Sequence, residues 1–177
     1  MQSRAPAHGA AHLRQIAFGM RASQALYVAA KLGVADHLAQ KPMSGGELAA
    51  ATHVDAGALN RVMRALCALD VFAESTTGEF SLNESGKLLR SDIAGSYRAA
   101  VLFMAGDVRW RCWSDLLGTV RTGEGGTERA LGVSLFDFYA GNPEQSEIHD
   151  QAMRGISAAQ VPAVLGAMDF SSAGVVV

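Results

Sequence analysis

Charge, cysteine, proline and aromatic residues are all scarce in this sequence. Only 18% of the 177 residues are charged and the net charge is -2, which gives no reason to expect a polyanionic partner. There are two cysteines, Cys67 and Cys112, both inside helical patterns and without metal-ligand spacing. They read as packed, reduced thiols rather than as a disulfide or a metal site. No apolar run approaches the roughly 20 residues of a membrane span. The opening segment, Met1 to Ala11, has one arginine and no long apolar core, so it is not a secretory signal. These absences predict a cytoplasmic protein with neither a membrane nor a nucleic acid as partner. His8, His12, His37, His53 and His149 have no acidic partner recognisable in the sequence and read as surface or packing residues. No general base and no metal ligand set follows from them.

What is present is a helix-forming, globular composition, 49% hydrophobic with 19 glycines. After a disordered lead-in over residues 1–11, Leu13, Ile16, Ala17, Met20 and Tyr27 recur at helical spacing. From Ala22 to Ala30 the helix is apolar nearly all round, which predicts cover from a second subunit. Gly33 is placed to end this helix in the left-handed conformation.

Residues 12–90 read as a winged-helix dimerisation domain. Ser44 and Glu47 form a capping box that opens a short helix. Asp55 caps a second helix with Leu59, Val62, Met63, Leu66 and Leu69 on one face. Two short strands, Val71 to Ala73 and Phe80 to Leu82, flank a turn at Ser75 to Gly78, and Asn83 caps a last helix through Leu89. Such a domain could bind DNA through Asn60, Arg61 and Arg64, but Glu74 and Glu79 stand on the wing where lysine and arginine would be wanted.

Residues 91–170 read as linker and lid helices. Ser96 to Met104 and Asp107 to Val120 each read as one helix, followed by a flexible loop at Gly123 to Gly126 and a short aromatic helix from Leu135 to Tyr139. Asn142 and Pro143 start the next helix as cap and first helical residue, and Pro162 breaks it. Gly174 to Val177 then reads as the opening of a buried strand.

In order along the chain, these segments resemble the N-terminal part of the S-adenosylmethionine-dependent small-molecule O-methyltransferases of bacterial natural-product and plant phenolic pathways. Ala29 to Asp36 resembles the family's "lgifd" element, and Leu59 to Leu66 its "LxRllRxL" helix. Phe80 to Asn83 resembles "yxlT", and Trp113 with Val120 to Gly123 resembles "W…l…v+tG". Asn142 to Glu144 with Ala152-Met153 resembles "pe…f..aM", and Asp169-Phe170 with Val175 to Val177 the lead into "vDvGGGxG".

The resemblance implies a mainly α fold: a winged-helix-like dimerisation domain with a small β-hairpin, then linker and lid helices, then the first strand of a missing Rossmann-like methyltransferase domain at residues 171–177. It implies a homodimer and, in the parent enzyme, methyl transfer to the hydroxyl of a small aromatic molecule. The glycine loop for S-adenosylmethionine and the catalytic histidine would lie beyond Val177, so no catalytic or cofactor residue is assigned and this chain alone is expected neither to bind the cofactor nor to be active. The residues matching the substrate-lining role are Met104, Trp110, Trp113, Phe136, Tyr139 and Met153, large aromatic and thioether groups suited to a flat ring. A winged-helix regulator and a non-catalytic dimerisation module are the alternatives.

Overall fold

The computed structural model describes the backbone of residues 5–168 and Gly174. The strand expected at Val175 to Val177 and the Asp169-Phe170 junction lie outside the described residues. The chain divides into two units between Ser91 and Asp92.

The first unit opens with α1, Ala5–Lys31. It begins well inside the segment expected to be a disordered lead-in. Ala5, Ala7, Ala10 and Ala11 favour helix, and Pro6 falls in the first turn, where it is tolerated. Gly33 ends the helical run at φ 65, as its position predicted, and α2 (Val34–Leu38) follows. Ala29 and Ala30 are buried and Ala22 to Val28 largely half-buried within the one chain. The exposed apolar surface lies earlier on the helix, with Leu13 68% and Ile16 64% exposed and Met20 beside them.

The capping box is present. The Ser44 amide donates to the Glu47 carboxylate at 2.8 Å, and the Glu47 amide donates to Ser44 Oγ at 3.2 Å. It opens α3, Gly45–Thr52, which ends on His53 at φ 57. The Asp55 carboxylate accepts from the Ala58 amide at 2.7 Å and caps α4, Ala56–Ala68. Leu59, Met63 and Leu66 face the core, but Leu69 is exposed because the chain turns away there through Asp70 at φ 57.

A short sheet follows. Its first strand was not anticipated: β1, Met43–Ser44, pairs antiparallel with β3, Glu79–Leu82, which also pairs with β2, Phe72–Glu74. Two residues carry too little period-two pattern to be read as a strand. Phe72 and Phe80 are fully buried and, with Val34, Leu48, Met63 and Leu66, make the core of this unit. Asn83 caps α5, Glu84–Lys87, by accepting from the Gly86 amide at 2.9 Å. Gly86 is there for closeness: an added Cβ would stand 2.7 Å from the Val71 carbonyl oxygen.

The second unit is helical, with α6 (Arg98–Ala105), α7 (Asp107–Ser114), α8 (Leu116–Thr122), α9 (Gly126–Leu131), α10 (Leu135–Gly141) and α11 (Pro143–Ala167). The single helix expected over Asp107 to Val120 is divided at Asp115, whose carboxylate is held by Arg129 rather than left free on a helix face. The expected flexible loop ends early, since Gly126 already starts α9. Pro143 stands in the first turn of α11, but the Asn142 side chain does not cap it; its amide donates back to the Phe138 carbonyl at 2.7 Å. The helix also continues through Pro162, forgoing the bond that proline cannot donate. Ala100, Val101, Val108, Tyr139 and Ala152 are the buried hydrophobic residues of this unit.

Candidate functional site

The six residues expected to line a substrate pocket all fall in the second unit, on four helices. Met104 ends α6, Trp110 and Trp113 lie on α7, Phe136 and Tyr139 on α10, and Met153 on α11. They do not form one buried cluster. Tyr139 is 8% exposed and Met153 half-buried, whereas Phe136 is 80% exposed and Trp113 and Met104 are largely open to solvent.

A different set of side chains meets around Tyr139. The His149 ring, from α11, lies 4.8 Å from the Tyr139 ring at a tilt of 34°. Phe103, from α6, meets the His149 ring edge-on at 5.3 Å. The Arg109 guanidinium, from α7, lies over the Phe103 ring at 4.2 Å, a cation–π placement. His149 Nδ1 is 3.0 Å from the Asp150 carboxylate. Four helices thus bring together an arginine, a histidine, an aspartate and two aromatic rings. Burial pushes the Tyr139 phenol up, and the neighbouring Arg109 guanidinium draws it part of the way back.

His149 packs against two rings, in keeping with its reading as a packing residue, and it has an acidic partner in Asp150. Asp150 is its neighbour in sequence, and adjacent residues on a helix do not ordinarily face one another, so the pairing carried no sequence signal. Phe103 and Arg109 also escaped the sequence reading, since only the packing of α6 and α7 sets them beside α10 and α11. Among the described residues no group of three or more His, Cys, Asp or Glu side chains could hold a metal ion. No described helix is long and apolar enough to cross a membrane. Both cysteines are free and half-buried, and burial pushes the Cys67 thiol up.

The first unit has its own surface feature. Phe18, Arg21, Ala22 and Ala25 of α1 and Ala65, Ala68 and Leu69 border an apolar groove of about 320 Å³. Two of the side chains a DNA-reading helix would need are engaged elsewhere. Arg64 is paired with Glu74 at 3.4 Å, and Asn60 packs against Gly45, where an added Cβ would stand 2.7 Å from its Oδ1.

These features define a class: a small association domain of helices and a three-stranded sheet, joined in sequence to a helical segment rich in large apolar side chains. The model of the O-methyltransferase dimerisation domain matches residues 14–92. Phenazine O-methyltransferase PhzM of Lysobacter antibioticus is 39% identical over 159 residues, covering 90% of this chain and 46% of that protein. O-methyltransferase SfmM3 of Streptomyces lavendulae is 36% identical over 160 residues, covering 90% of this chain and 48% of that protein. The crystal structure of LaPhzM superposes with a TM-score of 0.88 at 37% identity, over 91% of this chain and 48% of that one. The chain spans about half the length of the curated relatives it matches.

These relatives are named as O-methyltransferases, and the chain corresponds to the N-terminal region of such proteins. The described strands form only a short antiparallel sheet, with no parallel strand running into a glycine-rich turn to cradle the cofactor. The described residues therefore do not fit S-adenosylmethionine, and none is assigned to it.

Proposed function

We propose that this chain is the dimerisation and substrate-covering part of an O-methyltransferase that transfers a methyl group from S-adenosylmethionine to the hydroxyl of a small aromatic molecule. The observation that carries the reading is the match of residues 14–92 to the dimerisation domain, a stretch that exposes Ile16 and Met20 and begins one residue after the exposed Leu13. An exposed apolar row of this kind calls for cover, and a second copy of the same helix is self-complementary cover. The phenazine in the name of the Lysobacter relative is flat and aromatic, and Trp110, Trp113, Phe136, Tyr139, Met104 and Met153 are side chains suited to such a ring. Packing a flat substrate against these side chains would exclude water and hold the hydroxyl in place, which supplies much of the rate in a transfer of this kind.

The test is an assay of the protein carrying this chain with isotopically labelled S-adenosylmethionine and a panel of flat phenols. Labelled methyl ether is the expected product, and absence of transfer to every phenol in the panel would sink the reading. The 177-residue chain by itself should give no calorimetric signal with S-adenosylmethionine. Micromolar binding would reveal a cofactor site that these residues do not suggest.

A further inference from the structure

Arg109 differs from three other arginines of the second unit. Arg111 is paired with Asp107 at 3.0 Å, Arg129 with Asp115 at 2.8 Å and Arg154 with Glu147 at 3.2 Å. Arg109 lies half-buried over Phe103 with its Nε buried and no hydrogen-bond partner for it among the described residues. Leaving a cationic donor out of water and unbonded costs free energy, and such a group is satisfied by a negatively charged acceptor. The Asp150 carboxylate is engaged by His149 Nδ1 at 3.0 Å. The rest of the guanidinium lies over Phe103 and is hydrogen-bonded to the Tyr139 phenol, and His149 packs on both of those rings.

We propose that Arg109 is a specificity-determining residue that binds the carboxylate of a carboxylated aromatic substrate, with the Phe103, His149 and Tyr139 rings flanking the substrate's own ring. The fork of a guanidinium matches a planar carboxylate with two parallel hydrogen bonds, and Nε is one of the two donors such a pair uses. Lysine could supply the charge but not the second aligned donor. The inference rests on the reading of this segment as substrate cover and narrows the substrate class to aromatic acids.

The experiment compares 3-hydroxy-2-naphthoate with 2-naphthol as ligands of the protein carrying this chain, labelled with 15N-arginine. The naphthoate should move the Arg109 Nε–Hε resonance and bind at least about tenfold more tightly than the naphthol, as a charge-assisted bidentate pair requires. Arg109→Gln should erase that preference, and Arg109→Lys should restore only part of it. Equal affinity for the two ligands, or a naphthoate complex in which the Arg109 resonance does not move, overturns the assignment even if the variants fail to fold. Naphthoate binding through Arg109 without any methyl transfer would sink the O-methyltransferase reading and leave the carboxylate site standing. Methyl transfer that is indifferent to Arg109 would do the reverse.

Discussion

The guanidinium of Arg129 reaches back 14 residues to Asp115, with Nε donating to the carboxylate at 2.9 Å. The same side chain donates to the Thr122 hydroxyl at 2.9 Å and the Thr119 hydroxyl at 3.2 Å. One residue of α9 thereby ties down the carboxylate at the start of α8 and two hydroxyls along it. Gly118 leaves the room for this, since an added Cβ would collide with the Asp115 carboxylate and stand 2.9 Å from the Arg129 guanidinium.

Arg129→Met should therefore loosen α8 and α9 together. The group is partly exposed, so solvent screening holds the loss to about 1–2 kcal/mol. A fall of a few degrees in Tm is expected, with faster amide exchange confined to residues 115–131. A melting temperature unchanged from wild type would show the network to be ornamental.

The exposed row on α1 should govern self-association. Replacing Leu13 and Ile16 together by glutamate places charge in the apolar contact without touching the buried core, because both side chains are open to solvent in the single chain. Light scattering after size exclusion should show a dimer for the wild type and a monomer for the double variant at micromolar concentration, with unchanged helical circular dichroism. A wild-type monomer, or a variant that remains dimeric, would move the interface elsewhere.

The capping box should leave a signature in acid. Hydrogen bonds from the Ser44 amide and hydroxyl hold the Glu47 carboxyl below its ordinary range, with Lys41 adding a smaller push in the same direction. A carboxyl whose folded pKa is depressed stabilises the fold above its unfolded value, and that contribution is lost as pH falls through the folded value. Glu47→Gln should thus be less stable than wild type at neutral pH, and the gap should close as the solution is acidified below the normal carboxylate range. Urea midpoints measured across that window check the sign. A gap that widens in acid would contradict it.

Parts of this architecture were legible because they depend on chemistry within a few residues. The Ser44–Glu47 box, the Asp55 and Asn83 caps and the left-handed Gly33 each follow from local spacing, and the hairpin from two apolar pairs around a polar turn. Reading Asp107 to Val120 as one helix failed because its divider, Asp115, is held by a residue in a later helix. The cluster at Tyr139 escaped for the same reason, since Phe103, Arg109 and His149 are brought to it by helix packing rather than by any motif. On α1 the apolar count drew attention to Ala22 to Ala30, but small alanines are covered by the chain's own helices, and the larger Leu13, Ile16 and Met20 are the ones left outside.

The order of the sheet, β1-β3-β2, bears on how copies of this chain can meet. Its outer strands are only two and three residues long, and the outermost position of β2 carries Glu74. An edge so short and so charged offers almost no ladder for another chain to extend. Runaway strand-by-strand growth from this described sheet is closed off, and its unit is left to meet a copy through the helical surface, where a symmetric pair can form and then stop.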